Sequence, residues 1–127
     1  MKLEEAKPGL VHVEYVTGED LGVESQRPLL DRLEEKRGPI VVIFEVGPAV
    51  RSVPMNVPTF WLGVTSRDEL QLVGMAIVTT SAAVRVAARG FALANVARRI
   101  ATAVKTFDDV PAAAAWGRSL LDGKPSP

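Results

Sequence analysis

The sequence contains no cysteine. This absence excludes disulfide bonds, thiolate zinc sites and cysteine nucleophiles, and it is typical of proteins in a reducing cytoplasm. Long apolar runs are also missing, because no stretch approaches the ~20 residues that a membrane-spanning helix needs. The acidic start, residues 1–5, lacks the apolar core of a secretion signal. We therefore predict a cytoplasmic protein without a membrane span.

Residues that carry catalysis are scarce. The chain has one histidine, His12, and a catalytic base also needs an orienting partner and a nucleophile. Glu14 would share a strand face with His12, but no nucleophile accompanies this pair. Asp108 and Asp109 are explained as a helix cap, and no further carboxylates stand at the spacing of a metal site. The glycines are isolated and match no phosphate-binding loop. We predict no enzymatic activity, no cofactor and no metal.

Acidic residues are missing from one long segment, although the formal net charge is zero. Between Glu69 and Asp108 all charged side chains are basic, whereas the first fifty residues lean acidic. Three readings of the basic segment stay open: a solvated outer face, a surface for an anionic partner, and a nucleic-acid surface. We rank nucleic acid last because no aromatic residues are interleaved for stacking. Arg85 and Arg89 lie one helical turn apart and should point together.

The apolar run that begins at Leu72 organises the rest of the chain. It predicts a strand buried on both faces, and Ser81 is a suitable N-cap for the alanine-rich helix that follows. Around this unit we predict strands at residues 1–6, 10–16, 40–46 and 103–107. A turn at residues 17–20 is predicted to lead into a helix that ends near Arg37, and further helices are predicted at residues 57–64 and 111–121. Pro28 indicates that the first helix either starts near Ser25 or is kinked, and Gly38 is its expected C-cap.

This order predicts an α/β fold: one domain with a mostly parallel sheet of four to five strands, an N-terminal antiparallel hairpin and about four helices. The predicted domain covers residues 1–121, and residues 122–127 are predicted to be a flexible tail. The residues expected to form the core are Val41, Ile43, Val73, Ile77, Val104, Phe107 and Trp116.

The end of the chain resembles the end of STAS-like, SpoIIAA-like domains. In those domains a strand ending in phenylalanine is followed by an acidic cap and an Ala-x-x-Trp helix, as in Phe107-Asp108-Asp109 with Ala113 and Trp116 here. The resemblance implies a non-enzymatic domain that binds protein partners in bacterial-type signalling. Some relatives resemble small versions of the lipid-carrying CRAL-TRIO fold. The alternative is therefore a carrier of a small apolar ligand or lipid, with a pocket under the helix that contains Trp61.

One feature departs from the family pattern. Anti-sigma-factor antagonists of this fold carry a phosphorylatable serine behind an aspartate, at a helix N-terminus after a buried strand. Here the Asp-Ser pair is missing, and Ser52 lies in a longer loop. We keep Ser52 as a candidate partner-binding residue but do not transfer the phosphorylation switch to it.

Phe60, Trp61 and Leu62 are three consecutive bulky apolar residues on a predicted helix. Successive helical residues are about 100° apart, so one sheet cannot bury all three. At least one should be exposed, line a cleft or contact another subunit. We predict a homodimer through this helix and its preceding loop, anchored by Trp61 or Leu62. The full set of candidate partner-binding residues is Ser52, Phe60, Trp61, Leu62, Arg85 and Arg89.

Overall fold

A computed structural model describes residues 1–123 of the chain. Its strands are β1 (Lys2–Lys7), β2 (Leu10–Tyr15), β3 (Ile40–Val46), β4 (Leu72–Val78) and β5 (Ala103–Phe107). Its α-helices are α1 (Arg27–Glu34), α2 (Asn56–Thr65), α3 (Ala82–Ala97) and α4 (Val110–Leu121). Two short 3₁₀ turns, Gly18–Leu21 and Val23–Gln26, connect β2 to α1.

The strands form one sheet in the order β1-β2-β3-β4-β5. β1 pairs antiparallel with β2, and every other neighbouring pair is parallel. Gly9 closes the hairpin with a φ of +87°, and a Cβ there would stand 2.6 Å from the carbonyl oxygen of Pro39, so only glycine fits this turn. The predicted fold class, with its hairpin, five-stranded sheet and four helices, is confirmed.

The helices lie unequally on the two faces of the sheet. Because consecutive parallel strands are neighbours and crossovers are right-handed, their connecting helices lie on the same face. There α1, α2 and α3 cover residues such as Val42, Phe44 and Ile77. The other face carries α4, which packs its Ala113 and Trp116 on Val41 and Ile43. β3 is therefore buried on both faces from Ile40 to Phe44, which explains why these residues are all apolar.

The predicted core is only partly as deep as expected. The residues that the structure buries are Val41, Ile43, Ile77 and Trp116. Val73, Val104 and Phe107 are half-buried and pack on the edges of the two cores. Val104 and Phe107 belong to β5, which has a neighbour strand on one side, so packing cannot enclose them fully.

The first helix is shorter than predicted. α1 begins at Arg27 with Pro28 in its first turn, as in the alternative that placed Pro28 near the start, and it ends at Glu34. The predicted C-cap at Gly38 is wrong, because Glu35 is the C-cap residue and has right-handed helical angles. Residues 124–127, most of the predicted tail, lie outside the described residues. In residues 1–123 no helix has both the length and the apolar character needed to cross a membrane.

Candidate interaction surface

Helix α3 begins where the sequence predicts. The hydroxyl of Ser81 accepts a hydrogen bond from the backbone N–H of Val84 at 3.3 Å, so it satisfies one of the free donors of the first turn. The inward face packs Val84, Ala88 and Phe91 into the core. These residues fix the rotation of the helix and thereby determine which side chains face outward.

The outer face of α3 is apolar. Val86 is 66%, Leu93 71% and Val96 73% exposed, and apart from Arg89 the exposed residues of this helix carry only apolar or small side chains. A surface helix normally presents polar residues to solvent, and a helix that is apolar all round is normally buried. α3 therefore has the composition of a covered helix but lies at the surface of this chain.

Five of the eight exposed residues of α3 follow a regular spacing. Ala83, Val86, Gly90, Leu93 and Ala97 are separated by three, four, three and four positions, and all five are exposed. This is the alternation of a helix–helix seam, with small residues at one position of each repeat and larger ones at the other. A Cβ at Gly90 would meet nothing within 4 Å, so packing inside the chain gives no reason for this glycine.

A groove runs beside this seam, between α2 and α3, with a volume of about 260 Å³. Thr59 and Leu62 form its α2 wall, and Ala87, Gly90 and Phe91 form part of its α3 side. The small side chains of α3 leave the groove open to solvent. The ridge of Val86 and Leu93 thus stands next to a groove of similar apolar character.

A second space lies beneath α2, at the carboxyl ends of β2, β3 and β4. Its volume is about 80 Å³, and aliphatic and aromatic side chains, including Phe44 and Trp61, line it. Tyr15 is also part of the wall, but its hydroxyl donates to Oε1 of Gln26. Pro58, Ala87 and Phe91 line both this cavity and the groove. The cavity and the groove are therefore separated by little more than these side chains.

The structure corrects the prediction of a tryptophan anchor. Trp61 is only 5% exposed, and its ring meets that of Phe44 edge-on at a centroid distance of 5.1 Å. Phe60 is half-buried with its ring 5.4 Å from that of Trp61, and Leu62 is half-buried in the groove wall. Trp61 therefore cannot anchor a partner in this structure, because its ring belongs to the core.

The two arginines of α3 make different contacts. The Arg85 guanidinium pairs with the carboxylate of Asp108 and donates to the carbonyl oxygen of Thr79 at 3.0 Å. Arg89 is exposed and forms no ion pair with another described residue. Arg85 thus fastens α3 to the ends of β4 and β5, and Arg89 stays on the outer face.

Ser52 lies in the segment between β3 and α2 and is exposed. The segment has no regular structure at residues 51–54, and α2 starts only at Asn56. Ser52 is therefore accessible, but it is four residues before the helix rather than at its first turn.

The polar chemistry on the α4 side of the sheet is limited. Nε2 of His12 lies 2.9 Å from Oε1 of Glu45 on β3, so the histidine's partner is on the neighbouring strand rather than Glu14 of its own strand. Within residues 1–123, no three histidine, aspartate or glutamate side chains lie close enough to hold a metal ion. His12 and Glu45 therefore form a hydrogen-bonded pair that is partly open to solvent.

A further cleft, with a volume of about 650 Å³, lies at the opposite end of the sheet. Arg67, Arg98 and Arg99 line it. Arg67 is paired with Glu34 and Glu69. The C-termini of α2 and α3 both end here, and their partial negative charge attracts basic side chains. The partial negative charge of the helix C-termini therefore explains why arginines collect in this cleft, and Arg67 is also held by its two ion pairs.

The residues that sequence reasoning missed are the apolar ones on the outside of α3, above all Val86, Leu93 and Val96. The sequence does indicate an apolar outer face, because residues 82–97 are all apolar or small except Arg85, Arg89 and Asn95. Small alanine side chains let a helix pack close to a sheet, but this accounts for only one side of the helix.

Comparison with known proteins identifies no family model that matches the chain, and neither a curated protein nor a solved structure is significantly similar to it. The STAS-like assignment therefore stays a prediction that depends on the pattern of elements and on the motif at the end of the chain.

Proposed function

We propose that this protein is a non-enzymatic interaction module of a cytoplasmic signalling or regulatory system, which docks another polypeptide on the outer face of α3. The observation that carries the proposal is the apolar outer face of a helix whose inner face is already buried. Covering Val86, Leu93 and Val96 would remove three large apolar side chains from water, and each fully buried side chain of this size contributes about 1.5–3 kcal/mol.

The position of Arg89 supports the same surface. It stands at the edge of the apolar strip without an ion pair to a described residue, so it can meet a carboxylate at the rim of an interface. Rim charges mainly affect the rate and specificity of association. Arg85 contributes indirectly, because its contacts with Asp108 and Thr79 hold the helix in place.

The test is site-specific photocrosslinking in cells that produce the protein. A photoreactive phenylalanine derivative replaces Leu93, and the matched control carries it at Ala115, an exposed residue on α4. We expect a discrete protein adduct at position 93 and none at position 115. Equal labelling at both positions, or no adduct at position 93, would contradict docking on this face.

The cavity beneath Trp61 favours a second candidate function, the carrier of a small apolar ligand. Its walls are apolar and include four aromatic rings. Its volume of about 80 Å³ falls well below the roughly 300–1,000 Å³ of typical ligand sites, so a lipid would have to displace Phe91 and open the cavity into the groove. This size difference makes the carrier the weaker candidate.

Native mass spectrometry of the purified protein distinguishes the carrier from the interaction module. A carrier should retain an apolar adduct, and Ala87→Leu should abolish it, because Ala87 lines both the cavity and the groove. Ala115→Leu on α4 is the control substitution of the same size. A clean mass for the unmodified protein would count against the carrier function.

A further inference from the structure

We propose that the outer face of α3 is covered by a second copy of this chain, with the two α3 helices lying side by side and running in the same direction. This inference rests on the proposed function, since it names the partner of that surface. The observations that carry it are the three-four spacing of the exposed seam, the unexplained glycine at its centre and the groove beside it.

The seam has the dimensions of a helix pair. α3 has 16 residues and is therefore about 24 Å long. Ala83, Gly90 and Ala97 recur every seven residues, and small side chains at this interval let two helix backbones approach closely. Within one chain nothing packs against Gly90. The close approach of a second helix would explain why this position has no side chain.

The direction follows from the places of the ridge and the groove. Val86 and Leu93 lie on one side of the line formed by the small residues Ala83, Gly90 and Ala97, and the groove lies on the other side, towards α2. A twofold axis parallel to α3 exchanges these two sides, so Leu93 of each copy enters the groove of the other. A twofold axis perpendicular to α3 would make the two helices antiparallel and would bring the same side of each helix together. Val86 and Leu93 of the two copies would then face each other, and both grooves would stay empty.

Charge favours the same arrangement. Arg89 lies beyond the ridge, on the side of the seam away from α2. With parallel helices the two Arg89 side chains lie on opposite edges of the interface. With antiparallel helices centred on Gly90 they would lie side by side, and no carboxylate of α3 could separate them because this helix contains none. Like charges brought together at an interface disfavour association.

The size of the surface sets the expected strength. α2 and α3 together present roughly 400 Å² in projection, from their lengths and an ordinary helix width. Stable complexes bury about 800 Å² per partner. We therefore expect a weak, reversible dimer, in the class of small transient interfaces.

Because the chain has no native thiol, single-cysteine variants test this arrangement directly. Ala83→Cys, Gly90→Cys and Ala97→Cys each place one thiol on the seam, and Arg118→Cys places one on α4 as the control. After mild oxidation of the purified protein at high micromolar concentration, we expect Ala83→Cys and Ala97→Cys to form disulfide-linked dimers at least tenfold faster than the control. Gly90→Cys should also link faster than the control but by a smaller factor, because its added side chain weakens the close approach of the helices. Circular dichroism verifies that each variant is folded.

The pattern of linkage decides the outcome. Linkage of Gly90→Cys alone, with a mixed disulfide between Ala83→Cys and Ala97→Cys, indicates antiparallel helices and overturns the proposal. Linkage at the control rate throughout also overturns it. Sedimentation velocity gives an independent measurement: the unmodified protein should associate with rising concentration, Leu93→Glu should lose this association, and Ala115→Glu should keep it.

The two proposals fail separately. If the purified protein neither cross-links nor associates, but position 93 captures a different protein in cells, the second copy is excluded and the interaction module stands. If position 93 captures nothing in cells and the purified protein is a monomer, both proposals fall.

Discussion

Trp116 on α4 lies directly against Gly74 on β4. A Cβ added at Gly74 would stand 3.2 Å from Cη2 of the indole and 2.6 Å from Cδ1 of Leu120. The indole also packs on Phe107, with ring centroids 5.4 Å apart. The absent side chain at position 74 therefore lets α4 approach the sheet closely, and α4 is the helix that covers the second core.

The contact between Gly74 and Trp116 predicts a coupling between two substitutions. Trp116→Ala should lower the free energy of unfolding by about 3–5 kcal/mol, as truncations of buried aromatic residues do. Gly74→Ala should lower it by about 1–3 kcal/mol through overpacking. In the double variant the added methyl group enters the space vacated by the indole. The double variant should therefore lose less free energy of unfolding than the sum of the losses of the two single variants. Denaturant titration of the four proteins measures this, and strict additivity would contradict the contact.

Tyr15 predicts a loss of stability in strong base. It is 2% exposed, and burial, with a smaller contribution from Asp20, raises the pKa of its hydroxyl above the ordinary value of 10.0. The folded state thus favours the neutral phenol. Its contribution to stability is complete below the unfolded pKa and declines as the pH rises above it. Tyr15 is the only tyrosine, so tyrosinate absorbance should appear only together with unfolding, and a separate earlier titration would contradict this.

Glu5 predicts a stability difference that disappears in acid. Hydrogen bonds from Lys36 and from the backbone N–H of Gly9 (2.9 Å) hold the pKa of its carboxyl below the ordinary value of 4.5. The contribution of this carboxylate is present above that value and is lost as the pH falls through the lowered pKa. Glu5→Gln should therefore cost about 1–3 kcal/mol at neutral pH and much less in acid. Glu4→Gln is the matched control, since the side chain of Glu4 is 55% exposed.

Arg99 predicts a stabilising substitution. It follows α3 with a φ of 57°, and the hydrogen bonds from Arg99 N to Val96 O and from Ile100 N to Asn95 O form the helix-ending motif that normally has glycine at this position. Arg99→Gly should raise the free energy of unfolding by about 1 kcal/mol. Arg98→Gly is the control, because Arg98 has a φ of −91° and should gain nothing. Thermal unfolding of both variants makes the comparison.

Gly90 predicts opposite effects on folding and association. In the isolated chain Gly90→Ala should stabilise α3 by about 1 kcal/mol, because alanine is the better helix former and its Cβ meets nothing. The same methyl group should weaken the proposed dimer, where the two backbones approach at this point. Unfolding at low concentration and sedimentation at high concentration measure the two effects. A variant that is more stable and associates as well as the unmodified protein would contradict the role given to Gly90.

Several elements were predictable because local chemistry determines them. β3 and β5 have the predicted bounds, since a short apolar or β-branched run between turn residues has few alternatives. Ser81 and Asp109 cap α3 and α4 with their own side chains. Each cap contacts a backbone N–H only three residues further along the chain, so it can be read from the local sequence. The first helix was less predictable: the region before Pro28 forms 3₁₀ turns in which the buried side chain of Gln26 bonds the carbonyl oxygens of Asp20 and Gly22.

The sequence by itself determined the order of the strands and helices, the hairpin turn at Gly9 and the apolar character of α3. Only the tertiary structure decided which side of each helix faces water. Periodicity marks an apolar face, but α3 has apolar residues on every side, so the packing of Val84, Ala88 and Phe91 settled its rotation. The same packing buried Trp61 and left Val86 and Leu93 outside, because the rotation of a helix against a sheet depends on contacts between residues far apart in the chain.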